Sequence, residues 1–392
     1  MIKKMSFDDF VIVYFGTDLN AENKTSSHHV ALQLAKTNKV LYVDSPGLRS
    51  PKLNSRDLKK TFLKLKKALL PPQAVGKNMW YIIVPQLPFR RVPLIKTLNR
   101  FVGWILVKKA LRMFRTDKLI SWFATPDLAP LAKHLNEQFS LYYCTDKHEH
   151  LPDIDSVEVS QLDEEITKKA DLVVCVGELV CIEKKKINPN CIYVPHGVDF
   201  DRFERARSSD LPLPDIKYRL KPPIIGYYGS IAEWLDLDLL TKIAQSRSDC
   251  TLLLIGHSSI DISELSRYSN IVLIGPQPYQ TLPSWAKLFD VAIYPAKKDH
   301  GFVRYANPLK IREYLAAGKE VVSVSTHEIS KLSPPVRTAD THEEFLEQLD
   351  DVLSTRSFIK NNRMDEELKK LSWNYRVLHI KENIDKTLSE KM

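Results

Sequence analysis

NPLKIREYLAAGKEVV, residues 307–322, decides how this chain is read. Asn307-Pro308 is a turn that opens a helix, Lys310 falls in the first turn, and Glu313 follows three residues later on the same face. Gly318 is a C-cap, and the run Val321-Val322-Ser323-Val324 continues as a strand. A helix N-terminus carries unpaired N–H groups and a partial positive charge, so it suits a phosphate. Lys310 adds a full charge to the same anion, and Glu313 can accept hydrogen bonds from sugar hydroxyls. A diphosphate joined to a ribose fits the pair. A solvated Lys–Glu pair on an amphipathic helix would have the same spacing. The segment's place at the carboxyl edge of a strand ending near Tyr294, within an alternating strand–helix series, favours a ligand site.

Six stretches lie upstream in a fixed order. They are ADLVVCVGELV (170–180), VPHGVDFDRF (194–203), IIGYYGSIAEWLD (224–236), LLLIGH (252–257), NIVLIGPQPYQTLP (270–283) and FDVAIYP (289–295). With 307–322 they resemble the GT-B glycosyltransferases of the bacterial cell-envelope and exopolysaccharide group (glycosyl transferases group 1-like), most strongly over residues 120–325. The resemblance implies an α/β fold of two Rossmann-like domains facing each other across a cleft, with a C-terminal helix crossing back to the first. Residues 1–207 and helix 373–392 would form the acceptor-binding domain, and 208–372 the nucleotide-sugar-binding domain.

The chain's own pattern agrees with two α/β domains. At 392 residues it is too long for one typical domain. FVIVYF (10–15), KVLYVD (39–44), WYIIVP (80–85), KLISWFA (118–124), FSLYYC (139–144), DLVVCV (171–176) and CIYVP (191–195) read as short buried strands. Helical patterns separate them, such as SSHHVALQLAKT (26–37) with Ser26 or Ser27 as cap. The Pro-rich stretch 208–223 reads as a linker, and PIIGYY, TLLLIG, NIVLIG, DVAIYP and EVVSVS form a second series. Such alternation argues a parallel, helix-covered sheet in each. The five cysteines lack C-x-x-C spacing and most lie in apolar runs, so buried free thiols in a reducing compartment are expected. Residues 10–16 are too short an apolar run to span a bilayer, and Asp8 and Asp9 interrupt any signal-peptide pattern. A cytoplasmic location is expected.

On the donor side, Gly229 and Ser230 sit at a strand-to-helix turn, where a backbone can approach a phosphate closely. Gly256 and Gly275 close two further strands. The resemblance makes Gly229, Ser230, Gly256, Gly275, Asn307, Pro308, Lys310 and Glu313 the donor-binding set, with Lys310 also catalytic. Many retaining relatives carry a Glu eight residues before the position of Glu313; here it is Tyr305. The sugar contact would then fall to the polar loop 297–306. On the acceptor side stand Gly16, His28, His29 and His148. Asp146, at the carboxyl edge of 139–144, is a candidate general base or else a loop cap. The resemblance also implies that the Lys and the helix dipole stabilise the leaving diphosphate without a metal. No cofactor is expected; the substrate is a nucleoside-diphosphate sugar, UDP-sugar favoured over GDP-sugar.

Charge is uneven. Residues 49–118 hold eighteen Lys and Arg against two acids, a local +16 in a chain of net +9. Phe62, Leu63, Leu65, Leu69, Leu70, Phe101, Trp104, Ile105 and Leu106 are interleaved with them. Basic and apolar residues together suit an anionic lipid surface, and a nucleic-acid patch would look electrostatically alike. The resemblance implies a lipid-linked saccharide acceptor at the membrane, so the expectation is peripheral attachment to the inner face of the plasma membrane and no nucleic acid. A GT-B-fold nucleotide-sugar 2-epimerase and a basic nucleic-acid-binding protein are the competing functions.

Overall fold

The computed structural model describes residues 6–21, 24–44, 47–48, 66–68, 70–87, 92–151, 154–355 and 362–391. Of the residues expected to meet lipid, Phe62, Leu63, Leu65 and Leu69 lie outside this set. The chain divides into two units, residues 1–195 with 376–392, and residues 196–375.

The first unit is built on eight strands. They are β1 (Val11–Gly16), β2 (Val40–Asp44), β3 (Gln73–Gly76), β4 (Met79–Ile83), β5 (Leu119–Phe123), β6 (Phe139–Cys144), β7 (Leu172–Cys175) and β8 (Cys191–Tyr193). Their order is β3-β4-β2-β1-β5-β6-β7-β8, and every pairing is parallel except β3 with β4. β1, β2, β5, β6 and β7 are buried throughout, as strands covered on both faces must be. β3 is the exception. Its QAVG sequence is exposed at every position and it closes the edge of the sheet.

The second unit holds β9 (Ile224–Tyr228), β10 (Thr251–Ile255), β11 (Ile271–Ile274), β12 (Val291–Tyr294), β13 (Val321–Val324) and β14 (Val336–Ala339). Their order is β11-β10-β9-β12-β13-β14, all parallel. Successive strands step outward from β9 on one side and from β12 on the other. The β9/β12 border is thus the topological switch point, where open α/β sheets leave a crevice at their carboxyl ends.

The boundary between the units falls at 195/196, upstream of the expected 207/208. The reason is packing. Phe200, Phe203 and Ala206 are buried in the same apolar core as β9 to β14, so the segment ahead of the Pro-rich stretch belongs to the second unit. The helix Trp373–Lys391 returns to the first unit from Arg376 onward. Val377, Ile380, Ile384 and Leu388 are buried along one stripe of it. Asp385 accepts a hydrogen bond from Phe7 N–H at 2.8 Å, and Lys381 Nζ donates to Asp8 at 3.0 Å. All five cysteines are free and buried.

Burial of that stripe makes the helix part of the first unit's core. Ile384→Ala removes a fully buried side chain and should cost about 2–5 kcal/mol. The check is the denaturant midpoint: no loss of stability would mean that the helix only lies on the surface.

Candidate active site

The crevice at the β9/β12 switch point holds Lys310. It is the second residue of the helix Leu309–Ala316, which starts after Pro308 in extended geometry. Gly318, at φ +75°, lets the chain turn out of the helix, with Lys319 N–H donating to the Tyr314 carbonyl at 2.9 Å. Lys310 Nζ donates to the Tyr227 hydroxyl at 3.2 Å, and that hydroxyl donates to the Ser230 carbonyl at 2.8 Å. The ammonium also lies 4.7 Å from the Tyr227 ring centroid and 5.4 Å from that of Tyr294. Tyr227 is on β9 and Tyr294 ends β12, so the cation straddles the switch point. Burial lowers the Lys310 pKa, partly opposed by Tyr294 and Glu313. A desolvated ammonium on the first helical turn is a strong attractor for an anion.

The glycine turns make room for it. At Gly229, φ +143°, a Cβ would lie 2.4 Å from Lys310 Nζ; at Gly256, φ +149°, it would lie 1.9 Å from the Gly229 carbonyl oxygen. The two loops and the lysine are packed as tightly as backbone allows. Gly275 has no such role, since it follows the edge strand β11 and a Cβ there meets open space. Ser230 is exposed.

Glu313 lies one turn beyond Lys310 and is 7% exposed. Burial pushes its carboxyl up to about 7, opposed by the neighbouring Tyr228 and Tyr279 hydroxyls and the charge of Lys310. Asn307 is spent on structure: its amide donates to Glu328 at 3.1 Å and its oxygen accepts from Arg312. Tyr314 anchors the helix to β9, accepting from Tyr228 N–H at 2.8 Å. Sequence reasoning passed over Tyr227, Tyr294, Arg312 and Tyr314; only the aromatic residues at the ends of two strands signalled them. Tyr305 ends the short helix Gly301–Tyr305 beneath the Arg304 guanidinium, 5.7 Å away. The loop before it, Lys297 to His300, lines a 450 Å³ cavity with Asp236 and His342.

In the first unit, Asp146 follows β6 and lines a 140 Å³ cavity with Lys147, Asp163 and Lys184. Burial pushes its carboxyl up to about 6, opposed by His148 and reinforced by Cys144. His148 is buried in a polar network with Tyr142 (3.4 Å) and Thr145 (3.3 Å); Tyr142 donates to Asp163, which pairs with Lys184. Burial lowers the His148 pKa, but Cys144 and Asp146 outweigh it and the net shift is upward. His28 is engaged through both ring nitrogens: Nδ1 accepts from Thr25 N–H at 3.0 Å, and Nε2 donates to the Asp18 carbonyl at 2.8 Å. It therefore braces the loop after β1. Thr25, one residue before the expected Ser26, is the N-cap of the helix Ser26–Leu34. His29 is half-buried on that helix. At Gly16 a Cβ would lie 2.3 Å from the Tyr42 hydroxyl, so close packing fixes this glycine.

The Glu313 geometry has a measurable consequence. Its native carboxyl keeps a proton up to about 7, whereas its ordinary value is 4.5. Between those values the native state binds more protons than the unfolded state, so stability falls as pH rises through the interval. The penalty is on the order of 3 kcal/mol once pH exceeds 7. Glu313→Gln should therefore gain stability relative to wild type between pH 4.5 and 8, read from urea midpoints. A pH-independent difference would place the carboxyl in water.

No protein-family model matches the chain. TuaH of Bacillus subtilis (strain 168), which carries the provisional name of a teichuronic acid biosynthesis glycosyltransferase, is 24% identical over 235 residues. The match takes in 56% of this chain, and the chain spans 58% of the length of that curated relative. Among solved structures, a sucrose-phosphate synthase from Thermosynechococcus elongatus superposes with a TM-score of 0.69 at 12% identity, covering 97% of this chain and 100% of that one. A trehalose-6-phosphate structure from E. coli, bound with UDP-2-fluoro glucose, gives 0.65 at 14%, covering 96% and 99%. The catalytic domain of starch synthase IV from Arabidopsis thaliana, bound to ADP and acarbose, gives 0.65 at 10%, covering 97% and 99%. The chain is thus similar in sequence, over part of its length, to a protein provisionally named a teichuronic acid biosynthesis glycosyltransferase, and has the two-unit α/β fold of GT-B glycosyltransferases.

Proposed function

We propose that this protein transfers a sugar, without a metal, from a nucleoside-diphosphate sugar to a lipid-linked glycan acceptor in the synthesis of an envelope polysaccharide or exopolysaccharide. The observation that carries the reading is the desolvated Lys310 ammonium at the β9/β12 switch point, on the first turn of a helix. In the reaction the acceptor hydroxyl oxygen forms a bond to the anomeric carbon, and the anomeric carbon–phosphate oxygen bond breaks. The diphosphate leaves with the electron pair. Lys310 and the helix N-terminus stabilise the charge that develops on it, while Glu313 accepts hydrogen bonds from the nucleotide ribose. Asp146 takes the hydroxyl proton. Its raised pKa of about 6 suits a base working near neutral pH. The UDP-sugar in the E. coli neighbour supports UDP over GDP as donor, and the TuaH similarity supports the envelope setting.

The lipid link rests on the helix Pro93–Leu111. Its buried stripe is Asn99, Gly103, Val107 and Ala110. A second apolar stripe, Leu94, Leu98, Phe101, Trp104 and Ile105, is exposed, and from Val92 to Thr116 every formal charge is positive. An exposed apolar stripe on a helix whose only charged residues are cations fits the interface of an anionic membrane, each cation near that surface adding on the order of 1 kcal/mol. The helix would lie on that surface: among the described residues no helix is long and apolar enough to cross a membrane. Peripheral attachment to the cytoplasmic face of the plasma membrane is the setting this reading proposes.

UDP should raise the melting temperature of the wild-type protein more than GDP does, by mass action. Lys310→Ala should lose about 1.5–3 kcal/mol of that binding, roughly 10- to 150-fold, and should abolish transfer. Wild-type affinity and turnover in the variant would overturn the donor site. Asp146→Asn should keep UDP affinity and lose transfer. The wild-type rate should fall as pH drops through about 6, where the base takes up its proton. A rate flat across that range, or an active variant, would return Asp146 to a structural role. In sedimentation with vesicles, binding should require anionic lipid and fall with salt. It should also drop in Leu98→Ser/Phe101→Ser, and equal partitioning of that variant would remove the helix from the membrane contact.

A further inference from the structure

Cys175, Cys181 and Cys191 have no metal-motif spacing in the sequence, yet the fold brings their thiols together. Cys175 ends β7 and Cys191 begins β8. The parallel register sets Cys191 opposite Val173, so Cys191 and Cys175 point to the same face of the sheet. The helix Glu178–Lys185 links these two strands and buries Val180, Cys181 and Lys184. Cys181 Sγ lies 3.4 Å from Cys191 Sγ, which lies 3.6 Å from Cys175 Sγ. All three sulfurs are within 4.8 Å of one another.

A buried cysteine ordinarily serves as a small hydrophobe. In this trio each sulfur instead meets a sulfur from another element of the fold. An ion with tetrahedral bonds of about 2.3 Å to sulfur holds its ligands about 3.8 Å apart. The trio is drawn in to that scale, and an opening of a few tenths of an ångström would seat the ion. Three thiolates with no carboxylate or imidazole make a soft donor set, which selects zinc or copper(I) over magnesium and calcium. No fourth His, Cys, Asp or Glu among the described residues has a ligand atom within 4.8 Å of all three. A three-coordinate ion, or one completed by water, therefore fits. Cations offset the charge of the thiolates: Lys185 acts on Cys181 and Lys184 on Cys191, with Glu178 opposing. β8 is the last strand of the sheet, and Ile192 and Tyr193 on it are only half-buried, which leaves a small ion a short path inward.

We propose that the three thiols form a binding site for one thiophilic cation, zinc or copper(I), which clamps the helix Glu178–Lys185 to β7 and β8. That helix also carries Glu183, paired with Lys147, and Lys184, paired with Asp163. The first of these pairs reaches the residue next to Asp146, so the ion braces the side of the first unit on which Asp146 stands. It takes no part in transfer, since none of the three cysteines lines the cavity at Asp146. The site goes beyond the transferase reading and does not depend on it.

The test uses full-length protein reduced with a phosphine and stripped of metal. Cobalt(II) serves as the spectroscopic stand-in for zinc, beside zinc and copper(I) themselves and magnesium as the hard control. A single equivalent of cobalt should bind with an intense thiolate-to-cobalt charge-transfer band, and zinc should displace it. Zinc or copper(I) should raise the melting temperature where magnesium does not. Cys181→Ala/Cys191→Ala should lose the band and bind about 100-fold more weakly or worse. Cys250→Ala, in the second unit, should match wild type. If the double variant does not fold, Cys181→Ser, which keeps the size of the side chain and removes the soft ligand, gives the same reading. Absence of the charge-transfer band in wild type, or a band and affinity unchanged in these variants, would overturn the site. So would reduced protein that takes up no metal yet forms a Cys181–Cys191 disulfide with hydrogen peroxide, the two thiol hydrogens leaving in water.

Discussion

Three residues, Gly229, Gly256 and Lys310, crowd at the carboxyl ends of β9 and β10, and the second unit is arranged around them. Gly229 must leave room for Lys310 Nζ, and Gly256 must leave room for the Gly229 carbonyl. Neither position tolerates a side chain, and both have a positive φ that L-residues rarely adopt. The helix bearing Lys310 then has only one seat. Tyr314 ties it to the Tyr228 backbone, Asn307 and Arg312 lock its first turn, and Gly318 turns the chain into β13. What looks like a phosphate-binding helix is equally a packing solution. The close backbone approach that would admit the proposed diphosphate also fixes the cation that would meet it.

The first unit solves a different problem. Its central strands are buried on both faces, yet Tyr142, Asp163, His148 and Lys184 sit inside, where unpaired polar groups are costly. They are joined to one another: Tyr142 to Asp163 and His148, Lys184 to Asp163. A network closed on itself holds its members in place. Asp146 stands at its margin, half-buried and with a raised pKa, which separates it from the residues the network consumes. His28 shows the opposite outcome. It seemed from its position to face an acceptor, and both its nitrogens are taken by the loop it caps.

The strands that sequence could reveal are those buried on both sides, because continuous runs such as VIVYFG and TLLLI have no other stable setting. β3 and β14 escaped for complementary reasons. QAVG is wholly exposed and carries no apolar signal, and VRTA is only partly buried beside β13. The Lys310–Glu313 pair was legible because helix geometry fixes its spacing, and the switch point gave it a place. The role of Asn307 was not: whether an amide faces a ligand or a neighbouring arginine depends on contacts from Arg312 and Glu328, the latter 21 residues further along the chain. The domain boundary failed similarly. The Pro-rich stretch marked a change of composition, but the burial of Phe200 and Phe203 decided which core the preceding residues joined.

Among the described residues burial lowers the pKa of three lysines, and how each is satisfied separates structure from chemistry. Lys184 pairs with the Asp163 carboxylate inside the first unit. Lys319 has its pKa lowered to about 8 by burial and donates to the carbonyls of Lys287 and Phe289, at 3.2 and 2.7 Å. Both are consumed by partners that stay in place. Lys310 has one phenolic oxygen and two ring faces, which leaves donors of its ammonium for an incoming group. The nearby carboxylate that would otherwise neutralise it, Glu313, is itself pushed toward its protonated form. An ammonium so placed is held by weak interactions that an anion can supplement without first displacing a salt bridge. In the proposed reaction that is the condition under which a diphosphate would gain most from binding there, and would gain further as charge develops when the sugar departs.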